Sequence, residues 1–340
     1  MHFFHFLDDI RKTSHQNRVP QIHLEEEKDS QSEIKHHVTN PKNKVSAFVS
    51  IMQGCNMNCS FCIVPKTRGR ERYRSIDDIV AEVEKLSNNG IKEVTLLGQI
   101  VNAYGRGKFE KVDGKTPFVQ LLDKIHCLAG IERIRFTSPH PISFGKDLIK
   151  AFGRLEKLGS YAHLPMQSGS NKILKSMNRP YTREKFIKLV EQLRKTNKNM
   201  RISTDVIVGY PGEDSEDFEL TKDAFIKCGF EMAFIFKYSE RSGTPAAVLD
   251  DKVPQEVKES RNKELLNLLE DQSLDSNQKL VGKTLEVLVE GLARKGEGRL
   301  FGRTPCYRKV VFPAHQTLIG QTKNIEIVDV TANTLFGNLN

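Results

Sequence analysis

AFVSIMQGCNMNCSFC, residues 47–62, decides how the rest of the chain is read. Its first seven residues have the apolar character of a strand, and they open directly into a loop carrying Cys55, Cys59 and Cys62. The same order of apolar run, loop and amphipathic helical pattern then recurs. Strands are expected at EVTLLG (residues 93–98), RIRFTS (133–138), YAHLPM (161–166), RISTDVIVG (201–209) and MAFIFKYS (232–239). Helical patterns fall between them at 76–86, 118–128, 147–158, around Ile173, 183–195 and 216–227. Repeated strand–helix units imply a parallel sheet with its helices outside, because parallel neighbours need a crossover. Spacing leaves an open doubly wound sheet and a full or partial barrel as alternatives; both collect functional residues in the loops after the strands. The motifs obey this, with GCNMNCSFC after the first strand, GQIVNAYG after the second, SPH after the third, QSGS after the fourth, YPGE after the fifth and ERSGTPA after the sixth.

Beyond a long helical stretch at 255–279, short β-like runs divided by glycines (TLEVLVEG, RLFGRT, RKVVFP, NIEIVDVT) read as a small five-stranded barrel. Arg294, Lys295, Arg299, Arg303, Arg308 and Lys309 supply positive charge there, as an RNA contact or as a solvated basic surface. At the other end, HLEEEKDSQSEIKHHVTNPKNK mixes charges without apolar periodicity and reads as a linker. The formal charge of +9 over 340 residues favours polyanionic partners. No apolar run approaches the length of a bilayer, and Asp8, Asp9 and Arg11 come too early for a signal peptide. A cytoplasmic location and no membrane partner are expected. Six cysteines in such a chain do not form a disulfide framework, and Cys127, Cys228 and Cys306 are scattered.

Cys55-x3-Cys59-x2-Cys62 places three soft donors in one loop, suiting zinc or an iron–sulfur cluster. A structural zinc site normally has four protein ligands, and no fourth Cys or His completes this loop. Three thiolates on a four-iron cluster leave one iron open to a ligand. GCNMNCSFCIVPKTRGRE (residues 54–71) closely resembles the radical S-adenosylmethionine signature of the methylthiotransferase family. The resemblance runs on through LLGQIVNAYG, RIRFTSPHP, HLPMQSGS, MNRPYTRE, STDVIVGYPGE and SGTPA, and ends in a segment similar to a TRAM domain. LLGQIVNAYG points to the branch acting on isopentenylated adenosine-37 of tRNA; Ile100 stands where that branch usually has Asn, and Tyr73 replaces a commonly small residue.

The resemblance implies an α/β fold, a partial parallel (β/α)6 barrel followed by a small all-β TRAM-like barrel. It divides the chain into a remnant of an N-terminal domain plus linker (1–45), a radical SAM core (46–278) and a TRAM-like RNA-binding domain (279–340). It implies a [4Fe-4S] cluster on Cys55, Cys59 and Cys62 that binds S-adenosyl-L-methionine and cleaves it to a 5′-deoxyadenosyl radical. Phe61 is placed to pack near the adenine, and Gly98 and Gln99 to approach the methionine part. Gln167 and Asp205 either contact the cofactor ribose or substrate, or satisfy buried backbone groups. Gly209 and Gly212 read as turn residues, His163 as a satisfied core histidine, and Arg68 and Arg70 as RNA or loop contacts or partners of Glu71. Full-length members begin with a domain holding a second cluster, of which MHFFHFLDDIRK resembles the end. The expected function is methylthiolation of tRNA, with tRNA and an electron donor of unknown identity as partners, by a chain that is truncated or completed by a separate N-terminal polypeptide. The alternatives are a degenerate member that cleaves the cofactor or binds RNA without inserting sulfur, and a zinc-bound RNA-binding module.

Overall fold

The computed structural model describes residues 45–294 and 296–340, so the expected N-terminal remnant and linker, residues 1–45, lies outside them save its last residue. In chain order the elements are β1 (Ser46–Ser50), β2 (Met52–Gln53), α1 (Val64–Arg68), β3 (Arg72–Tyr73), α2 (Ile76–Asn88), β4 (Glu93–Leu97), α3 (Pro117–His126), β5 (Arg133–Phe136) and α4 (Lys146–Arg154). There follow β6 (Tyr161–His163), α5 (Asn171–Ser176), α6 (Arg183–Thr196), β7 (Arg201–Val208), α7 (Ser215–Cys228), β8 (Met232–Lys237) and α8 (Gln255–Gln278). Five strands close the chain: β9 (Thr284–Leu292), β10 (Arg299–Arg303), β11 (Lys309–Pro313), β12 (Thr322–Val330) and β13 (Leu335–Leu339).

The six long strands of the α/β part form two three-stranded parallel sheets, ordered β1-β4-β5 and β6-β7-β8. A parallel bridge from Ile134 of β5 to Leu158, ahead of β6, joins them into one arc whose outer edges are β1 and β8. The arc is a partial barrel, as the sequence motifs implied. Strand alternation divides its faces: Ala47, Val49, Val94 and Leu96 are buried under the helices, whereas Phe48, Glu93 and Thr95 face the lumen. On α2, Ile79 and Val83, four residues apart, are fully buried. Its start is set by Ser75, whose side chain accepts from Asp78 N at 3.1 Å, with Asp77 and Asp78 in the first turn. The apolar cores of these helices and strands merge into one cluster.

The expected first strand, 47–53, is broken at Ile51: β1 pairs in parallel with β4, while β2 turns to pair antiparallel with β3. The break aims the following cysteine loop across the top of the arc. β9–β13 close into a barrel ordered β10-β11-β13-β12-β9, around Val287, Val289, Leu300, Val310, Phe312, Ile325, Ile327 and Leu335.

The small barrel is seated on the N-terminal ends of the parallel strands. Arg133 donates to the Arg303 carbonyl at 2.8 Å, and Arg135 to those of Thr304 and Pro305 at 2.9 and 3.1 Å. Arg201 reaches the Tyr307 carbonyl at 3.2 Å, and Tyr307 stacks on Tyr161 with ring centroids 4.9 Å apart. Two of the basic residues read as an RNA contact or a solvated surface are instead committed: Arg308 is buried and pairs with Glu231, and Arg303 pairs with Glu290. Both carboxylates are largely buried, and breaking either pair would leave a charge uncompensated, so those two charges belong to the packing. Arg294 and Arg299 stand exposed.

Candidate active site

The cysteine loop is held by its own backbone and by three distant segments. Gly54 has φ +79°, and a Cβ there would fall 2.0 Å from the Arg70 carbonyl oxygen, so only glycine lets the loop double back. Cys55 N then donates to the Gly69 carbonyl at 3.1 Å, and Asn56 and Glu71 exchange hydrogen bonds at 3.3 and 3.1 Å. Ser60 is buried; its N donates to the Met177 carbonyl, and its Oγ lies 2.8 Å from the Ser176 carbonyl and 2.9 Å from Tyr210 Oη. Ala246 N donates to the Ser60 carbonyl at 2.8 Å. Ligand positions fixed this way need no reorganisation when a prosthetic group binds.

Cys55, Cys59 and Cys62 line one cavity of about 310 Å³ at the C-terminal ends of the strands. Phe61, Gly98, Gln99, Gln167 and Asp205 line it too, so every expected site residue is brought to the same place. Phe61 also packs on a buried group that includes Ile173, Met177 and Tyr210. Gly98 is required by close packing, since a Cβ there would lie 2.5 Å from Met52 Cγ. Gln167 has φ +66°, and its N donates to the Asp205 carbonyl at 2.7 Å. Among the described residues the Asp205 carboxylate accepts from no backbone group; it lies 3.1 Å from Nε2 of His163, whose Nδ1 is 2.8 Å from Ser203 Oγ. His163 is therefore satisfied, as expected, but on the lumen wall rather than in the apolar core. Gly209 and Gly212, at φ +69° and +81°, occupy turns. Glu71 is taken up by Asn56 and the Tyr73 hydroxyl, not by Arg68 or Arg70, which stand exposed. Ile100 sets an apolar side chain on the cavity, while Tyr73 packs against Tyr104 and Phe109.

Two cavity residues escaped the sequence reading. Arg179 donates through Nη1 to Cys59 Sγ at 3.3 Å, through Nε to Tyr181 Oη at 2.9 Å and through Nη2 to the Pro165 carbonyl at 3.4 Å. Among the described residues no carboxylate pairs with it. His140 is 5% exposed; its Nδ1 accepts from Ile142 N at 3.2 Å, which leaves the proton of the neutral ring on Nε2. Burial first, then the charges of Arg179 and Arg106, hold its pKa down at about 3, so the ring is neutral at physiological pH. The motifs MNRPYTRE and SPH contained both residues, and only the fold shows that they meet the cysteines.

The donor set fits a cluster ligated at three corners. Burial pushes the Cys55 and Cys62 thiols above their ordinary pKa, so their thiolate forms call for a compensating positive centre. The cavity also holds a buried acceptor and a buried donor without partners among the described residues, Gln99 Oε1 and His140 Nε2. Orphaned groups of opposite sense suit a ligand that both donates and accepts, as an amino acid does.

Comparisons with known proteins agree with this geometry. Residues 49–225 match the model of the radical SAM superfamily, and residues 278–339 that of the TRAM domain. The tRNA-2-methylthio-N(6)-dimethylallyladenosine synthase of Opitutus terrae is 54% identical over 299 residues, covering 88% of this chain and 62% of that protein. The protein of the same name from Akkermansia muciniphila is 46% identical, covering 98% of this chain and 75% of its own length. In fold, the chain is similar to coproporphyrinogen III oxidase of Escherichia coli, a radical SAM enzyme, with a TM-score of 0.50 at 12% identity over 86% of this chain and 71% of that one. The chain thus spans about 62% of the length of the Opitutus relative. No helix among the described residues is long and apolar enough to cross a membrane.

Proposed function

We infer the function from one premise: the chain belongs to the radical SAM superfamily and, within it, to the family of the tRNA-2-methylthio-N(6)-dimethylallyladenosine synthases. We propose that it takes part in adding a methylthio group to C2 of N6-isopentenyladenosine-37 in tRNA. Residues 46–278 would form the catalytic core and 279–340 the TRAM-like RNA-binding barrel. The observation that carries this reading is the meeting of Cys55, Cys59 and Cys62 with the orphaned Gln99 and His140 in one cavity.

Cys55, Cys59 and Cys62 would hold a [4Fe-4S] cluster and leave its fourth iron open. Bound there, the cluster and S-adenosylmethionine supply an electron and a carbon-centred radical able to take hydrogen from an unactivated C–H bond. The chain's own residues bind and orient. Gln99 Oε1 would accept from the cofactor's ammonium group, and His140 Nε2 and Arg179 would donate to its carboxylate, giving that guanidinium the anion it lacks. Phe61 would pack against the adenine, and Gln167 and Asp205 would meet the ribose hydroxyls. Seating the small barrel on the lumen's far end limits water around the reacting carbon.

Sulfur insertion also needs a sulfur source beside the target carbon. Cys127 caps α3, Cys228 ends α7 in the apolar core, and Cys306 sits in the loop that docks the small barrel, so these three do not make a second ligand set. We assign that source to a further domain, on this polypeptide or another, and the electron to a separate donor. The test is mass spectrometry of nucleosides from isopentenylated tRNA incubated anaerobically with this chain, alone and fused behind the cysteine-rich domain of a full-length relative. Methylthiolated adenosine from the fusion supports the reading, and its absence from a fusion that still cleaves the cofactor contradicts it.

A further inference from the structure

A second, larger cavity of about 830 Å³ occupies the lumen of the arc. It shares Ser138, His163 and Asp205 with the cysteine cavity, so a ligand placed in it reaches the cofactor end. Its walls are unequal. The middle strands turn polar groups inward, among them Glu93 and Thr95 of β4, His163 of β6 and Asp205 of β7. On β8 the alternation instead turns Met232, Phe234 and Phe236 to the lumen. Phe234 and Phe236 are 49% and 53% exposed, with rings 6.4 Å apart and within 13° of parallel. Phe48, on the opposite edge strand β1, faces the same cavity at 55% exposure. β1 and β8 are the two outer strands of the arc, so three bare phenyl rings line the lips of its open side.

Large aromatics exposed together in a cleft mark a binding site more often than isolated exposed apolar residues do. We propose that this aromatic lip is the seat of the target base itself: the purine and its five-carbon N6 substituent lie against Phe234, Phe236 and Phe48. The inference rests on the proposed function and deepens it, by naming the residues that select a prenylated over an unprenylated adenosine. A phenyl ring offers a π face to any base and apolar carbon to a prenyl chain, without a polar group that the chain would leave unsatisfied. Phe234 lies edge-on to His163 at 6.0 Å, and His163 holds Asp205, so a base on this ring sits beside the cofactor cavity. Arg294 of the small barrel lines the same cavity and stands exposed, in place to meet the phosphates of an RNA whose base has entered.

The test compares wild type with the double variant Phe234→Ala/Phe236→Ala, both carrying the reconstituted cluster. One readout is cleavage of S-adenosylmethionine without RNA. The other is affinity for two synthetic anticodon stem-loops that differ only in the prenyl group on adenosine-37. The wild type is expected to prefer the prenylated loop about tenfold, and the double variant to lose that preference while cleavage without RNA stays within about twofold. Phe234→Tyr, which keeps the ring, should keep the preference. Should the double variant fold poorly, Phe236→Ala alone, at an exposed position, gives the same comparison and is expected to lower the preference while cleavage without RNA is unchanged. A double variant that discriminates as well as the wild type overturns the aromatic lip and leaves the proposed function standing. A wild type that does not discriminate at all overturns the substrate reading, and the lip with it.

Discussion

Nη1 of Arg179 lies 3.3 Å from Sγ of Cys59, a contact between residues 120 positions apart that links the cysteine loop to the segment after α5. Hydrogen bonds to ligand sulfurs and nearby charge tune a cluster and orient its ligands. Arg179→Gln keeps a donor but removes the charge. It is expected to assemble a cluster with wild-type absorbance yet to lower the rate of cofactor cleavage about 10–100-fold, the usual effect of losing an outer partner. Anaerobic absorbance and product chromatography on one sample separate the two. Arg179→Lys should fall between, because lysine keeps the charge but not the fork that also meets Tyr181 and Pro165.

His140 carries a stability signature. Its pKa is about 3 in the folded chain, against an ordinary value near 6.5, so between those values the unfolded state binds more protons. Its contribution is fully present above pH 6.5 and is lost as pH falls toward 3. Denaturant unfolding should therefore show wild-type stability dropping by up to about 1.4 kcal/mol per pH unit more steeply than that of His140→Gln across this window. Arg179 and Arg106 supply the repulsion and Tyr181 packs edge-on against the ring, so Arg106→Gln should shift the window only slightly.

The seating of the small barrel separates structural charge from RNA-binding charge. Glu231 lies between Arg201 and Arg308, both buried. Glu231→Ala would leave two guanidinium groups without their carboxylate and is expected to cost about 3–5 kcal/mol. Thermal or denaturant unfolding measures this directly. Arg294→Ala and Arg299→Ala, at exposed positions, should leave unfolding within about 0.5 kcal/mol of wild type and flatten the salt dependence of tRNA binding by roughly one charge each.

Much of this site could be read before the fold, for a physical reason. Cys55, Cys59 and Cys62 are neighbours in the chain as well as in space, and residues after parallel strands must gather at one end of the arc. The six strand–helix repeats and four of the five strands of the small barrel were legible from periodicity and glycine spacing, while β13 carried no run that marked it. What escaped depends on contacts between distant segments. Nothing local marks Arg308 as buried, because its partner Glu231 lies 77 positions earlier. The kink at Ile51 likewise follows from β2 finding β3, not from any breaker in AFVSIMQ. His140 was passed over because a histidine after a strand is ordinary until its Nε2 is seen to lack a partner in the cysteine cavity.

The central claim is that the cysteine loop holds the cluster that opens S-adenosylmethionine. The direct measurement is 5′-deoxyadenosine, quantified by chromatography after this chain is reconstituted anaerobically with iron and sulfide and given a strong reductant and the cofactor. The wild type should release it while holding about four irons per chain, and Cys59→Ala should hold no cluster and release none. Product from Cys59→Ala, or none from a wild type that carries its four irons, would contradict the assignment.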